Sequence, residues 1–184
     1  YASDFETARS QSETVLDMHP AYETAFVCLG LSNLALGDVT TAVTIYERLK
    51  PVSDFGASLA ATGLADIAIY EGGLKDAKDI LEVAIDTDLE VGNQAAAANK
   101  LFTLGQVESL RGRADAATDA ARRAVGLSQQ EQVLFEAARV LLAGGQRAEA
   151  LEIASQLAGR LAPEPRAYAQ LVEGEAALAG GDAT

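Results

Sequence analysis

The sequence predicts an all-α fold, an α-solenoid in which about ten helices form antiparallel hairpins. Two recurrences carry this prediction. A small residue lies seven positions before a glycine five times, at Gly30 and Gly37, Ala65 and Gly72, Gly105 and Gly112, Ala138 and Gly145, and Gly174 and Gly181. A second small residue returns at intervals of 34, 35, 40 and 33 residues, at Ala8, Ala42, Ala77, Ala117 and Ala150. Hairpins repeated at this period bury their apolar faces against their neighbours.

Each recurring position has a physical role in a helical hairpin. Seven residues are about two helical turns. The first member of each pair is small, which lets two helices approach closely. The glycine that follows ends the first helix, because glycine adopts the left-handed backbone conformation at little steric cost.

The stretch from Phe26 to Tyr46 shows the repeat most clearly. It reads as two helices joined at Gly37-Asp38. Positions spaced i, i+3, i+4 and i+7 lie on one face of a helix. The first helix has this spacing at Phe26, Leu29, Gly30 and Asn33, and Ala42 and Tyr46 lie four apart in the second.

This spacing resembles the tetratricopeptide repeat (TPR), with Phe26, Asn33 and Tyr46 in place of the usual Trp, Tyr and Phe. The resemblance covers essentially the whole chain. In the third repeat it rests on Leu101, Leu104, Gly105, Gly112, Ala117 and Ala124. It implies a right-handed solenoid, a concave face lined by the first helices, and a protein-binding scaffold without chemistry of its own. Residues 164–182 also resemble in composition the TPR regions of bacterial Ser/Thr kinases or winged-helix regulators.

We expect a single repeat array over residues 1–184. It divides into a half-repeat at 1–20, repeats at about 21–52, 53–91, 92–127 and 128–162, and a half-repeat at 163–184. The predicted helices cover 4–18, 21–36, 38–50, 54–71, 74–90, 94–111, 114–126, 129–143, 146–161 and 166–179. Because this array begins and ends within a repeat, we expect a piece of a longer protein. The end helices should then expose apolar faces that favour self-association.

Charge and composition exclude several classes of function. The net charge is −13, and residues 1–97 hold 16 acidic against 5 basic side chains, which gives −11. Nucleic-acid binding is disfavoured, since phosphates call for a basic patch. Both solubility and a basic partner would account for the acidity. No apolar run reaches the length of a membrane span. One cysteine does not fix the compartment, although the cytoplasm is slightly favoured.

No motif points to catalysis, a cofactor or a metal. The segment from Asp86 to Glu90 begins like a calcium loop, but Val91 and Ala97 replace the glycine and the bidentate glutamate that such a loop requires. His19 has no second ligand nearby for zinc. We expect Cys28 to be packed or partly buried. The carboxylates spaced along one helix predict a solvated outer face: Asp76, Asp79, Glu82, Asp86 and Glu90.

A partner-binding groove is predicted from the positions one step past the core stripe of each first helix. Nine residues form it: Val27, Leu31, Leu34, Ile69, Phe102, Gln106, Phe135, Arg139 and Leu171. Six more complete the same faces: Thr62, Asp66, Ser109, Leu142, Glu175 and Leu178. Each helix contributes positions spaced i, i+4 and i+7. Arg139 is the one basic residue among them, which argues against a groove that grips a terminal carboxylate. Aromatic anchors for a peptide or helix are favoured instead, unless these side chains only fill gaps between helices.

Two functions of different class follow. The first is a non-catalytic scaffold that binds a protein or peptide in an apolar groove. The alternative is an accessory domain of a larger enzyme or regulator that binds a small ligand or substrate. A deep polar pocket with perturbed carboxylates would favour the alternative.

Overall fold

The computed structural model describes residues 4–180, which contain ten α-helices and no strand. Short joints of three or four residues connect them. The predicted all-α fold class is therefore confirmed. The helices are α1 (Phe5–Met18), α2 (Glu23–Ala35), α3 (Val39–Leu49), α4 (Asp54–Tyr70), α5 (Leu74–Glu90), α6 (Gln94–Leu110), α7 (Ala114–Leu127), α8 (Glu131–Ala143), α9 (Arg147–Ala158) and α10 (Pro163–Gly180).

Five turns between helices share one backbone geometry. Each contains a glycine with φ between 72° and 83°, a left-handed conformation that side chains disfavour. The next residue donates its N–H to a carbonyl five residues earlier, as Asp38 does to Asn33 at 2.8 Å. The glycines are Gly37, Gly72, Gly92, Gly112 and Gly145. The seven-residue recurrence predicts four of these turns; its fifth stop, Gly181, lies outside the described residues.

Two boundaries differ from the prediction by three residues, and the others by no more than two. Helix α9 ends at Ala158 rather than near 161, with Gly159 as its C-cap, and α10 begins at Pro163 rather than near 166. Proline is well suited to the first turn of a helix, where its missing N–H would have no partner in any case. The longer 40-residue interval, between Ala77 and Ala117, arises because α5 and α6 each contain 17 residues.

The chain divides into two compact units, Tyr1–Thr87 (unit 1) and Asp88–Thr184 (unit 2). In unit 1, α1 packs on α2, α3 packs on both α2 and α4, and α2 also contacts α4. The core of this unit combines leucines and two isoleucines with two aromatic rings: Leu16, Phe26, Leu29, Ile45, Tyr46, Leu49, Leu64 and Ile67.

In unit 2, consecutive helices from α6 to α10 pack on one another, and α8 also contacts α6 and α10. Its core is rich in fully buried alanines, which allow the helices to approach closely. They pack around larger apolar side chains that are almost fully enclosed, among them Leu134, Leu141, Leu157 and Val172. Glu173, which follows Val172 in α10, is exposed, so its carboxylate lies in solvent and not in the core.

Unit 2 also contains a buried ion pair. The Lys100 ammonium lies 2.7 Å from the Asp88 carboxylate, and both side chains are only 3% exposed. The sequence pattern placed Asp88 only within an incomplete calcium loop and gave it no partner. Leaving one member of such a pair buried alone costs about 3–5 kcal/mol. The pair therefore ties the last turn of α5 to α6 across the Gly92 turn.

Candidate functional site

In unit 1 the predicted groove residues lie on α2 and α4. Leu31 is 54% exposed, whereas Val27 and Leu34 are half-buried against the core of this unit. Ile69 on α4 is also half-buried. This face therefore presents partly exposed apolar side chains from both α2 and α4. The two helices are in contact with each other.

The ring of Tyr46 fills the space between α2 and α4. A Cβ built on Gly30 would lie 2.8 Å from Cζ of Tyr46, and one on Gly63 would lie 2.3 Å from the same atom. The Tyr46 ring therefore fits in this space only because neither position has a side chain. The close approach predicted at Gly30 is confirmed, while the larger constraint at Gly63 was not anticipated from the sequence.

Asp66 lies one helical turn beyond Gly63, on an exposed part of α4. Partial burial raises the pKa of its carboxyl group above the usual value. Burial, together with the charges of Asp66 and Cys28, raises the pKa of Tyr46 to about 12. Tyr46 therefore lies within electrostatic range of both Asp66 and Cys28.

Cys28 corrects a prediction, because its thiol is exposed rather than packed. The buried stripe of α2 passes through Phe26, Leu29 and Gly30. Cys28 lies two positions from both Phe26 and Gly30, about 200° around the helix, and therefore faces away from that stripe.

In unit 2 the predicted face carries a connected set of polar side chains. The amide nitrogen of Gln106 on α6 donates to Glu136 on α8 at 3.2 Å. Arg139, also on α8, donates from Nε to both carboxylate oxygens of Glu175 on α10, at 3.0 and 3.2 Å. These bonds connect α6, α8 and α10 on one side of the unit.

The aromatic residues of this face are already engaged within unit 2. Phe135 stacks on Tyr168 of α10, with ring centroids 4.5 Å apart and planes 13° from parallel. The Arg139 guanidinium lies 5.6 Å from the Phe135 centroid. Phe102 is half-buried and Leu171 is exposed. Phe135 therefore presents only part of its surface to a partner.

An open depression of about 350 Å³ lies between α6 and α8. Its lining includes three positions of the predicted face, Gln106, Ser109 and Arg139, together with Glu136. Apolar surface comes from Leu110, Val140 and Ala143, and Leu110 is 67% exposed. The depression thus combines apolar surface with polar groups at its edge.

A larger depression of about 630 Å³ lies beside the first turns of α8 and α10. Its charged groups already have partners. Arg160 donates to the Gln129 carbonyl at 2.6 Å and lies 3.3 Å from Glu131. The Tyr168 hydroxyl donates to Glu164 at 2.8 Å. Each charged side chain that lines this depression, among the described residues, thus already has a partner within unit 2.

Two further candidates among residues 4–180 are the acidic stripe of α5 and groups of side chains that could hold a metal ion. The predicted acidic stripe of α5 is exposed, and two of its members pair with lysines, Asp79 with Lys75 and Glu82 with Lys78. No group of three or more His, Cys, Asp or Glu side chains within residues 4–180 is placed to hold a metal ion. None of the helices described is both long and apolar enough to cross a membrane.

The glycine expected to mark a close helix contact on α10 does not do so. No heavy atom of the described residues lies within 4 Å of a Cβ built on Gly174, and the residue is exposed. At Gly105, by contrast, the carbonyl of Ala117 lies 3.2 Å from such a Cβ. The recurrence therefore predicted a close approach at Gly105 correctly and at Gly174 wrongly.

No protein-family model matches the sequence, and no curated protein matches it. Solved structures do. TTC0263, a thermophilic TPR protein in Thermus thermophilus, aligns with a TM-score of 0.64 over 91% of this chain and 90% of its own, at 20% identity. The fold is that of TPR proteins.

Two further solved structures align with this chain. BtubC (BKLC) from P. vanneervenii aligns with a TM-score of 0.74 at 15% identity, over 98% of this chain and 83% of its own. YrrB, described as a TPR protein with an unusual peptide-binding site, aligns with a TM-score of 0.56 at 17% identity, over 93% of each chain. At these identities the likeness concerns the fold alone.

Proposed function

We propose that this chain is a non-catalytic scaffold that binds peptides or helices of partner proteins, on the face of α2 and α4 in unit 1 and on the face of α6, α8 and α10 in unit 2. The observation that carries the proposal is the depression between α6 and α8, where exposed Leu110 lies among Gln106, Glu136 and Arg139. Apolar surface with polar groups at its edge suits a peptide that places one apolar side chain there.

The fold and the neighbouring face support the same proposal. YrrB shares the TPR fold and is described as having a peptide-binding site. In unit 1, Leu31 and the half-buried Val27, Leu34 and Ile69 offer a second partly apolar surface. The compositional resemblance of residues 164–182 to regulator-associated TPR regions supports placing this scaffold within a larger regulatory protein.

Selection from a random 16-residue peptide library displayed on phage tests the proposal. We expect enrichment of peptides with apolar side chains. Their affinity should fall about tenfold or more in the double variant Leu31→Glu with Leu110→Glu, because a peptide side chain that loses its apolar contact loses on the order of 1.4 kcal/mol or more.

The matched control is the double variant Val83→Glu with Leu161→Glu. It adds the same two charges at exposed apolar positions outside the proposed faces. Its melting temperature and affinity should stay at parent values. Recovery of no specific peptide, or equal loss of affinity in both double variants, would refute the proposal.

A further inference from the structure

The hydroxyl of Tyr46 has no partner within unit 1. The residue is only 2% exposed, yet its hydroxyl makes no hydrogen bond with residues 4–180. No fully buried side-chain oxygen or nitrogen in the described part of the chain lacks a partner. The Tyr46 oxygen must therefore reach the surface. A nearly buried tyrosine normally satisfies its hydroxyl, as Tyr168 does with Glu164.

Glycines determine where this hydroxyl emerges. A Cβ on Gly30 would lie 3.1 Å from the hydroxyl oxygen, and one on Gly63 would overlap the ring. Because neither helix has a side chain at these positions, the phenol extends from α3 into the contact between α2 and α4. We use the name α2–α4 seam for Tyr46 together with Leu31, which follows Gly30 on α2, and with Asp66 and Ile69, which lie three and six positions after Gly63 on α4.

Asp66 is the second polar group of the seam without a partner. It makes no ion pair or hydrogen bond with residues 4–180. The residues predicted at the same step of α6, α8 and α10 are Gln106, Arg139 and Glu175, and each is hydrogen-bonded to a neighbouring helix. The Asp66 carboxylate is therefore available to bind a partner, whereas the side chains at the same step in unit 2 are already bonded to one another or to Glu136.

The chemistry of the seam is that of a receptor for a positive charge next to apolar groups. Asp66 supplies a carboxylate, and the Tyr46 oxygen supplies a second acceptor beside it. Leu31 supplies exposed apolar surface, and residues 1–97 carry a net charge of −11 from 16 acidic and 5 basic side chains. A lysine or arginine would satisfy both oxygens at once, since its several N–H groups all donate.

We propose that the α2–α4 seam binds a basic amphipathic segment of a partner protein, in which one lysine or arginine pairs with Asp66 and donates to the Tyr46 hydroxyl oxygen while its apolar neighbours pack on Leu31 and Ile69. This inference rests on the proposed scaffold function and specifies the partner at one of its faces. The acidic surface of the surrounding unit favours encounter with such a segment.

The phage-displayed 16-residue library provides the test. Peptides that bind at the seam should carry a lysine or arginine flanked by apolar residues. In Asp66→Asn their affinity should fall about tenfold or more, because the carboxylate partner of a charge-assisted hydrogen bond is lost. In Tyr46→Phe the fall should be smaller, about threefold or more, because one neutral acceptor is lost. The control Asp54→Asn removes the same charge near the start of α4 and should leave affinity unchanged.

Cys28 gives an independent measure of where the peptides bind. It is the sole cysteine, it is exposed, and it lies three positions before Leu31 of the seam, a spacing that places both on one side of α2. A basic peptide on the seam should slow the reaction of this thiol with an aromatic disulfide reagent. A peptide bound between α6 and α8 should leave that rate unchanged. Basic peptides that do not protect Cys28 would contradict the proposal.

Stability distinguishes recognition from a structural role. The raised pKa of Asp66 means that folding disfavours its ionised form. The fold therefore loses stability as pH rises from the unfolded value, 3.8, through the folded pKa. Asp66→Asn should accordingly raise the melting temperature at pH 7, and this gain should vanish below pH 3.8. A lower melting temperature at pH 7 would assign Asp66 a structural role and overturn the inference.

The outcomes also separate this inference from the proposed function. Peptides whose affinity depends on Leu31 or on Leu110, but in no case on Asp66, would leave the scaffold function standing and refute the basic partner. Recovery of no specific peptide would refute both.

Discussion

At the level of single residues, helical glycines differ in what lies beside them. A Cβ on Gly63 would lie 2.3 Å from the Tyr46 ring, closer than non-bonded carbon atoms approach, whereas Gly174 has open space. The ring lies between two helices of unit 1 and has no room to move aside. The same substitution should therefore have opposite effects at the two positions.

We predict that Gly63→Ala destabilises the protein by about 1–3 kcal/mol through overpacking. Gly174→Ala should stabilise α10 by about 0.5–1 kcal/mol, because alanine loses less backbone entropy in a helix. Urea unfolding of both variants measures the two effects. An unchanged free energy of unfolding for Gly63→Ala would show that Tyr46 does not occupy the space between α2 and α4.

At the level of whole elements, α10 differs from the other first helices of unit 2. One face packs on α8 and α9 through Ala169, Val172 and Ala176. Another face carries Leu171 and Leu178, which are exposed and seven residues apart with Gly174 between them. Residues at this spacing lie on one side of a helix. α10 therefore presents an apolar stripe that the described residues do not cover.

We predict that this stripe supports weak self-association at high protein concentration, because exposed apolar patches associate. Sedimentation equilibrium near ~1 mM protein, in about 0.3 M salt to screen the acidic charge, should detect dimers. The double variant Leu171→Glu with Leu178→Glu should remain monomeric, whereas Leu161→Glu should behave as the parent. A strictly monomeric parent at that concentration would contradict the prediction.

At the level of the whole chain, acidic charge is unevenly distributed. The net charge is −13, of which residues 98–184, with 11 acidic and 9 basic side chains, contribute only −2. The long-range field of the N-terminal half should attract cations and repel nucleic acid. This field influences encounter rates more than it influences the affinity of a docked complex.

We predict that association of a selected basic peptide slows markedly as sodium chloride rises from ~50 to ~500 mM, because salt screens the attraction. Stopped-flow fluorescence with a labelled peptide measures the rate constant. A selected peptide without net charge is the control and should associate at nearly the same rate throughout. Salt-insensitive association of the basic peptide, or binding of double-stranded DNA, would show that the charge does not act in this way.

The repeated helical hairpins were predictable from the sequence alone. Ten helices, the glycines that end them and most boundaries followed from period, small residues and the left-handed conformation of glycine. These are local effects, set by residues within one or two helical turns. The α10 start at Pro163 was missed because proline permits the first turn of a helix as readily as it ends one.

Which side chains contact one another depends on the tertiary packing of the helices. The fit of Tyr46 against Gly63, the burial of Asp88 with Lys100, and the stacking of Phe135 on Tyr168 all join residues more than ten positions apart. The periodicity of the sequence does not predict such pairs, because each pair depends on how the helices pack against one another. The same reason explains why the unpaired Asp66 emerged only once α2, α3 and α4 were packed together.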